Sequence, residues 1–239
     1  MNANGSADAS YTYVGSELDL FALASNWKRY WTDEIRPYLR GRVLEIGAGI
    51  GSNTVALADR TRDWTCLEPD ATLADRLRRQ LAEAGWSIPV VHGTIADLSS
   101  DHRFDSALYI DVLEHIEDDR GELQRVTTLL QPGGRLIVLA PAHQFLFSPF
   151  DRAVGHCRRY SRGSLLAAAP AGLRVERAVY LDSVGALASA ANRFALRQSM
   201  PKARQLKFWD SMLVPISRVL DPIFGYRLGK SVMVIWIKR

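Results

Sequence analysis

Hydrophobic positions recur at intervals of three and four between Glu17 and Pro37, where Leu20, Ala24, Trp27, Trp31 and Ile35 fall on one side. That period belongs to a helix, so the spacing predicts one amphipathic helix within residues 16–41, ending at Gly41. Its aromatic stripe, Trp27, Tyr30 and Trp31, reads first as core and second as a lid over a ligand. Farther on the pattern changes from periodic to continuous. Short apolar runs stand at Val43 to Ile46, Trp64 to Leu67, Ile88 to Val91, Phe104 to Ile110, Leu136 to Ala140, Leu173 to Leu181 and Lys230 to Lys238. Continuous runs mean strands covered on both faces, hence a mainly parallel sheet between helix layers. The intervening stretches supply the helices. Leu73, Leu77 and Leu81 share a face that Gly85 ends, and Leu123, Val126 and Leu130 follow a capping box of Asp119 with Glu122. Leu206, Trp209, Leu213, Ile216 and Leu220 keep helical spacing too, but Pro215 removes a donor in the middle and predicts a break or two short helices.

The candidate chemistry starts where the first run ends. Val43-Leu44-Glu45-Ile46-Gly47-Ala48-Gly49-Ile50-Gly51-Ser52-Asn53-Thr54 is a strand, a tight turn and a helix start, with glycine at alternate positions. A backbone that turns sharply against a ligand needs positive φ and no Cβ in the way. Nucleotide cofactors and S-adenosylmethionine (SAM) both use such turns. A dinucleotide fingerprint would put its third glycine at Ser52, whereas here the glycines are 47, 49 and 51. Glu68 ends the second run, where a carboxylate beside the glycine turn can accept both hydroxyls of a ribose.

Further stretches fall in a fixed order: Gly93-Thr94-Ile95-Ala96-Asp97-Leu98, Phe104-Asp105 before the fourth run, Leu113-Glu114-His115 after it, and Pro132-Gly133-Gly134 before the fifth. Together with the glycine turn they resemble the class I SAM-dependent methyltransferases over about Arg42 to Pro141. The resemblance implies a Rossmann-like, doubly wound α/β sheet of seven strands with the last antiparallel, and SAM as cofactor with S-adenosylhomocysteine as product. It places Gly47, Gly49 and Gly51 around the methionine end, with Glu45 and Asn53 in the same motif, and Glu68 at the ribose. Ile95 resembles the adenine neighbour and Asp111 the residue below the methionyl portion. Thr94 departs from the pattern, because many members carry Asp there and a hydroxyl offers less to the adenine amine.

The acceptor must lie beyond the C-terminal ends of the strands. After the fifth run, His143 to Ser161 packs three phenylalanines, two histidines and several charged groups into a long loop, and long loops in compact domains are often functional. Methyl transfer needs a base only when the accepting atom carries a proton, and His156 and His143 are the catalytic candidates because histidine titrates near neutrality. His115 is the weaker choice. Arg158 or Arg159 is the expected partner for an anionic substituent, the other reading being a clamp onto Asp151. The expected activity is methylation of a small molecule, with oxygen favoured. N- or C-methylation and a SAM-binding regulator or scaffold are the alternatives.

Composition adds limits. The 239 residues, 47% hydrophobic and 23% charged, suit one domain, expected as a flexible 1–15, the helix 16–41, a cofactor core 42–141, and cap segments 142–161 and 200–229. Net charge is +4, but the arginines are dispersed, which argues against nucleic acid. Cys66 and Cys157 form no metal spacing, so no metal and a reducing cytoplasm are expected. No run is long enough to span a membrane, while 200–229 is open to a membrane-surface contact or a dimer face, and monomer and homodimer are both compatible.

Overall fold

The computed structural model describes residues 12–15, 17–99, 101–195 (side chains to 191) and 202–239. Residues 1–11 of the expected flexible terminus, and 196–201 after the sixth strand, lie outside these. The continuous apolar runs form seven strands: β1 (Val43–Ile46), β2 (Trp64–Glu68), β3 (Val90–His92), β4 (Phe104–Ile110), β5 (Leu130–Pro141), β6 (Leu173–Leu181) and β7 (Ser231–Lys238). They order as β3-β2-β1-β4-β5-β7-β6, and β7 runs antiparallel to both neighbours. Successive residues alternate between two cores. Val43, Cys66, Leu108 and Ile235 pack with the N-terminal helix residues Trp27, Trp31 and Ile35. Leu44, Leu67, Tyr109 and Val234 pack with Leu123, Val126 and Leu165 on the opposite face.

Three expected boundaries shift for physical reasons. The helix expected over 16–41 is two, Leu18–Ala22 and Ser25–Ile35, followed by a tight turn at Arg36–Tyr38. The second helix has an N-terminus of its own, capped from far along the chain. Asp210, nearly buried, accepts from the N–H of Asn26 at 3.2 Å and of Trp27 at 2.8 Å. The cap of the helix Asp119–Leu129 is Asp118 rather than Asp119, accepting from Gly121 N at 2.9 Å. The expected two helices are present, but Pro215 is not what separates them. It sits in the first turn of the helix Val214–Ile223, where its missing N–H costs nothing, and a wide π turn at Trp209–Leu213 joins that helix to Ala203–Phe208. The wide turn is what directs Trp209 and Asp210 inward.

Asp210→Ala should therefore lower stability by about 1–2 kcal/mol, the usual loss when a helix cap is deleted. Asp210→Asn, which keeps an acceptor oxygen, should lose less. Equal urea midpoints for wild type and Asp210→Ala would mean that the two helices do not depend on this contact.

Candidate active site

Strand order reverses between β1 and β4, so a crevice opens at their C-terminal ends. Two backbone turns with positive φ line it. Gly47 (64°), Gly49 (57°) and Gly51 (84°) carry the chain out of β1, and Asp111 (54°) carries it out of β4. The first turn is tied to β2 by the N–H groups of Gly47 and Ala48, which both donate to the Leu67 carbonyl at 2.8 and 3.2 Å. The three glycines do different work. A Cβ on Gly47 would fall 2.7 Å from Val112, and one on Gly51 would fall 2.5 Å from Leu77, so both are packing positions. A Cβ on Gly49 would project into the crevice, with only Leu18 Cδ1 at 3.9 Å.

Of the other expected cofactor residues, Asn53 and Asp111 line the crevice. Asp111 lines the crevice, and burial pushes its carboxyl up to about 6 against the opposing charges of His156, Lys230 and Arg159. Glu45 does not reach the crevice. It is buried in the sheet, accepts from Trp64 Nε1 at 2.9 Å, and burial raises its carboxyl to about 7. Thr94 and Ile95 also stand apart from it, Thr94 capping a short turn with Asp97 and Ile95 packing in the core. Glu68 lies at the expected strand end, but it is buried rather than accessible and its two oxygens accept from the N–H of Gly49 at 2.7 Å and of Asp70 at 3.0 Å. It braces the glycine turn.

Near the N-terminus, Tyr13, Leu18 and Phe21 contribute to the walls. Tyr13 N donates to Asp70 at 2.7 Å, which pins Tyr13 to the end of β2. Of the aromatic stripe, Trp27 and Trp31 are buried in the core and also line the crevice. Trp209 closes the same side, with the Lys230 ammonium 4.2 Å from its ring centre. Burial lowers the proton affinity of Lys230.

Opposite, the loop after β5 brings Phe150, Val154, His156 and Arg159 to the crevice. Ser148 begins the short helix Pro149–Ala153 through a capping box with Asp151, whose oxygen accepts from Ser148 N at 2.8 Å. Asp151 is the centre of the loop. It accepts from His156 Nδ1 at 2.9 Å and from two guanidinium nitrogens of Arg159 at 2.8 and 3.0 Å. Burial alone would raise its carboxyl, but these hydrogen bonds outweigh burial and hold it well below the usual range. The clamp reading of Arg159 is thus the observed one. Arg158 is engaged as well, with Asp119 at 2.8 Å and the Glu117 carbonyl at 2.8 Å, so neither arginine stands ready for an anionic substituent. His143, the other catalytic candidate, lies elsewhere. It stacks on Tyr180 with ring centres 4.8 Å apart and is not part of the crevice wall.

Two residues given little weight by the sequence are at the floor beside His156. Glu114 is fully buried, and burial together with the charge of Asp111 drives its carboxyl far up. His115 meets His156 edge to face with ring centres at 4.6 Å, and burial lowers its proton affinity to about 4. One ligating atom each from Glu114, His115 and His156 lies within 4.8 Å of the others. Their separation in sequence hides this: Leu-Glu-His reads as a helix opening, and His156 arrives 41 positions later.

Comparison with known proteins fits this geometry. Residues 44–138 match the family model of the methyltransferase domain. The chain is 30% identical over 135 residues to an uncharacterized protein of Mycobacterium tuberculosis, covering 54% of this chain and 46% of that one. It is 27% identical over 159 residues to a ubiquinone biosynthesis O-methyltransferase of Xanthomonas euvesicatoria, covering 58% of this chain and 65% of the relative. The chain thus spans less than two thirds of these relatives' lengths. In fold it superposes on a SAM-dependent methyltransferase from Clostridium acetobutylicum with a TM-score of 0.59 at 10% identity, covering 93% of this chain and 95% of the other. With its glycine turn, strand order and matched segment 44–138, the chain contains a methyltransferase domain and has the fold of SAM-dependent methyltransferases.

Proposed function

We propose that the chain transfers the methyl group of SAM to an oxygen of a small, largely apolar acceptor bound in the crevice. The observation that carries this reading is the continuity of the crevice, which runs from the open face of Gly49 to the His156 and Asp151 pair. The residues fit the cofactor: the missing Cβ of Gly49 leaves room for its methionine end, and Asn53 and Asp111 offer polar groups beside it. When bound, SAM supplies a methyl group on a sulfonium, already attached to a good leaving group. The protein's part is alignment and exclusion of water, worth up to roughly 7 to 11 kcal/mol in well-oriented reactions.

Phe21, Trp27, Phe150 and Trp209 make an aromatic wall for the acceptor's body. His156 deals with its hydroxyl. Because Nδ1 is engaged by Asp151, Nε2 carries the lone pair toward the floor, where it can take up a proton or bind a positive ion. The partial likeness to a ubiquinone biosynthesis O-methyltransferase supports oxygen as the accepting atom. Labelled methyl transfer from SAM into an extract of the source organism, read by mass, should give one labelled product with a methyl ether. A product labelled on nitrogen or carbon would overturn the oxygen assignment. No labelled product at all, from protein that binds SAM, would favour a SAM-binding regulator or scaffold.

Glu68→Ala should weaken SAM binding by about tenfold or more, since the hydrogen bond from Gly49 N–H to its carboxylate, roughly 1.5–3 kcal/mol, holds the glycine turn. Calorimetry with the folded variant checks this. An unchanged affinity would mean that neither the brace nor a ribose contact matters.

A further inference from the structure

We infer that Glu114, His115 and His156 hold a divalent transition-metal ion, Zn²⁺ or one of similar preference, at the floor of the crevice. The inference rests on the reading of this floor as the acceptor's site, and it assigns His156's lone pair to the ion. Three observations converge. Both carboxylate oxygens of Glu114 are buried, and neither is hydrogen-bonded to another described residue. Buried polar groups are almost always paired, and a cation at these two oxygens would both pair them and favour the ionised carboxylate. Second, the available neighbour is a histidine nitrogen: His156 Nε2 stands 3.8 Å from Glu114 Oε1, too far for a hydrogen bond and suited to two ligands on one ion. Third, His156 is oriented as metal-bound histidines are, its other nitrogen 2.9 Å from a carboxylate that is itself fixed by Arg159 and Ser148. His115, hydrogen-bonded to the backbone of Gly155, supplies the third ligand within the 4.8 Å span.

The donor set selects the ion. Two imidazoles and one carboxylate suit Zn²⁺, Mn²⁺ or Fe²⁺ over the oxygen-seeking Mg²⁺ and Ca²⁺. Charge around the site is mixed: Asp111 adds a negative group, Arg159 is matched by Asp151, and Lys230 faces the same space with a positive one. Three protein ligands leave a position open, as catalytic sites of this kind do. An acceptor hydroxyl in that position would lie beside a positive charge, which favours its ionised form without a side-chain base.

The test measures the ion rather than turnover. Chelator-stripped full-length protein is titrated with Zn²⁺ and with Mn²⁺, and bound metal is counted by mass spectrometry after desalting. One tight equivalent per chain is expected. Glu114→Gln and His156→Ala should lose more than the ~10–100-fold in affinity that removal of an outer partner costs, while Asp151→Asn should fall within that range. Cys157→Ser, which removes the exposed thiol near the loop, should keep the ion. Stripped Co²⁺-loaded protein gives an independent readout, since its visible absorption should change in Glu114→Gln if Glu114 is a ligand. Absence of a stoichiometric ion in wild type overturns the inference, and so does an ion lost with Cys157 and kept without Glu114. Labelled methyl transfer by a wild-type protein that binds no ion in this titration would leave the proposed activity standing while removing the ion.

Discussion

Gly49→Val abolishes SAM binding, by at least ~10²-fold, in a chain that still folds. The expectation combines two effects at one position. Gly49 sits at φ 57°, a conformation that costs an ordinary L-residue roughly 1–2 kcal/mol and a β-branched one more. Its Cβ would enter the crevice, where the nearest atom is Leu18 Cδ1 at 3.9 Å, so no clash within the protein opposes folding. The obstruction is to the ligand. Gly51→Ala supplies the contrast, because its Cβ would meet Leu77 at 2.5 Å and should reduce stability more than affinity. Calorimetry with SAM and a thermal melt on both variants separate the two effects. A folded Gly49→Val protein with wild-type SAM affinity would make the turn structural and remove the cofactor from this crevice.

How much of this was legible beforehand follows from the range of each interaction. Strands covered on both faces leave continuous apolar runs, so β4 and β6 are found at the residues expected from sequence. The glycine register selected a ligand class because backbone geometry is local. What the sequence could not reveal depends on side chains meeting across the fold. Asp210 caps a helix 183 positions earlier, and no local cap signal at Ala24 marks that start. Trp209, within the last cap segment, and Lys230, just after it, both reach the crevice. Glu68 shows the limit differently: its place was right, yet its oxygens are turned to backbone N–H groups, which only coordinates reveal. Thr94 and Ile95 likewise follow the order of the resemblance in sequence while lying apart from the crevice, Thr94 exposed and Ile95 in the core.

His156→Ala should lower kcat by ~10² or more while leaving the Kd for SAM nearly unchanged, because His156 stands at the acceptor end and Gly49 at the cofactor end. The imidazole is held with more care than a packing role requires: Asp151 fixes Nδ1, Arg159 and Ser148 fix Asp151, and Phe150 packs edge-on with its ring centre 6.4 Å away. Asp151→Asn keeps the size of the side chain but weakens that hold, so it should lose part of the same rate with the same SAM affinity. His143→Ala should retain near-normal kcat, since His143 lies against Tyr180 outside the crevice. The pH profile then separates two roles for His156. A side-chain base makes the variant recover as rising pH ionises the acceptor's hydroxyl, with or without added metal. An ion ligand makes the loss persist in metal-free protein and ties any recovery to added Zn²⁺ or Mn²⁺. Wild-type turnover by His156→Ala across the whole pH range would exclude both roles and leave the loop after β5 as a wall of the crevice only.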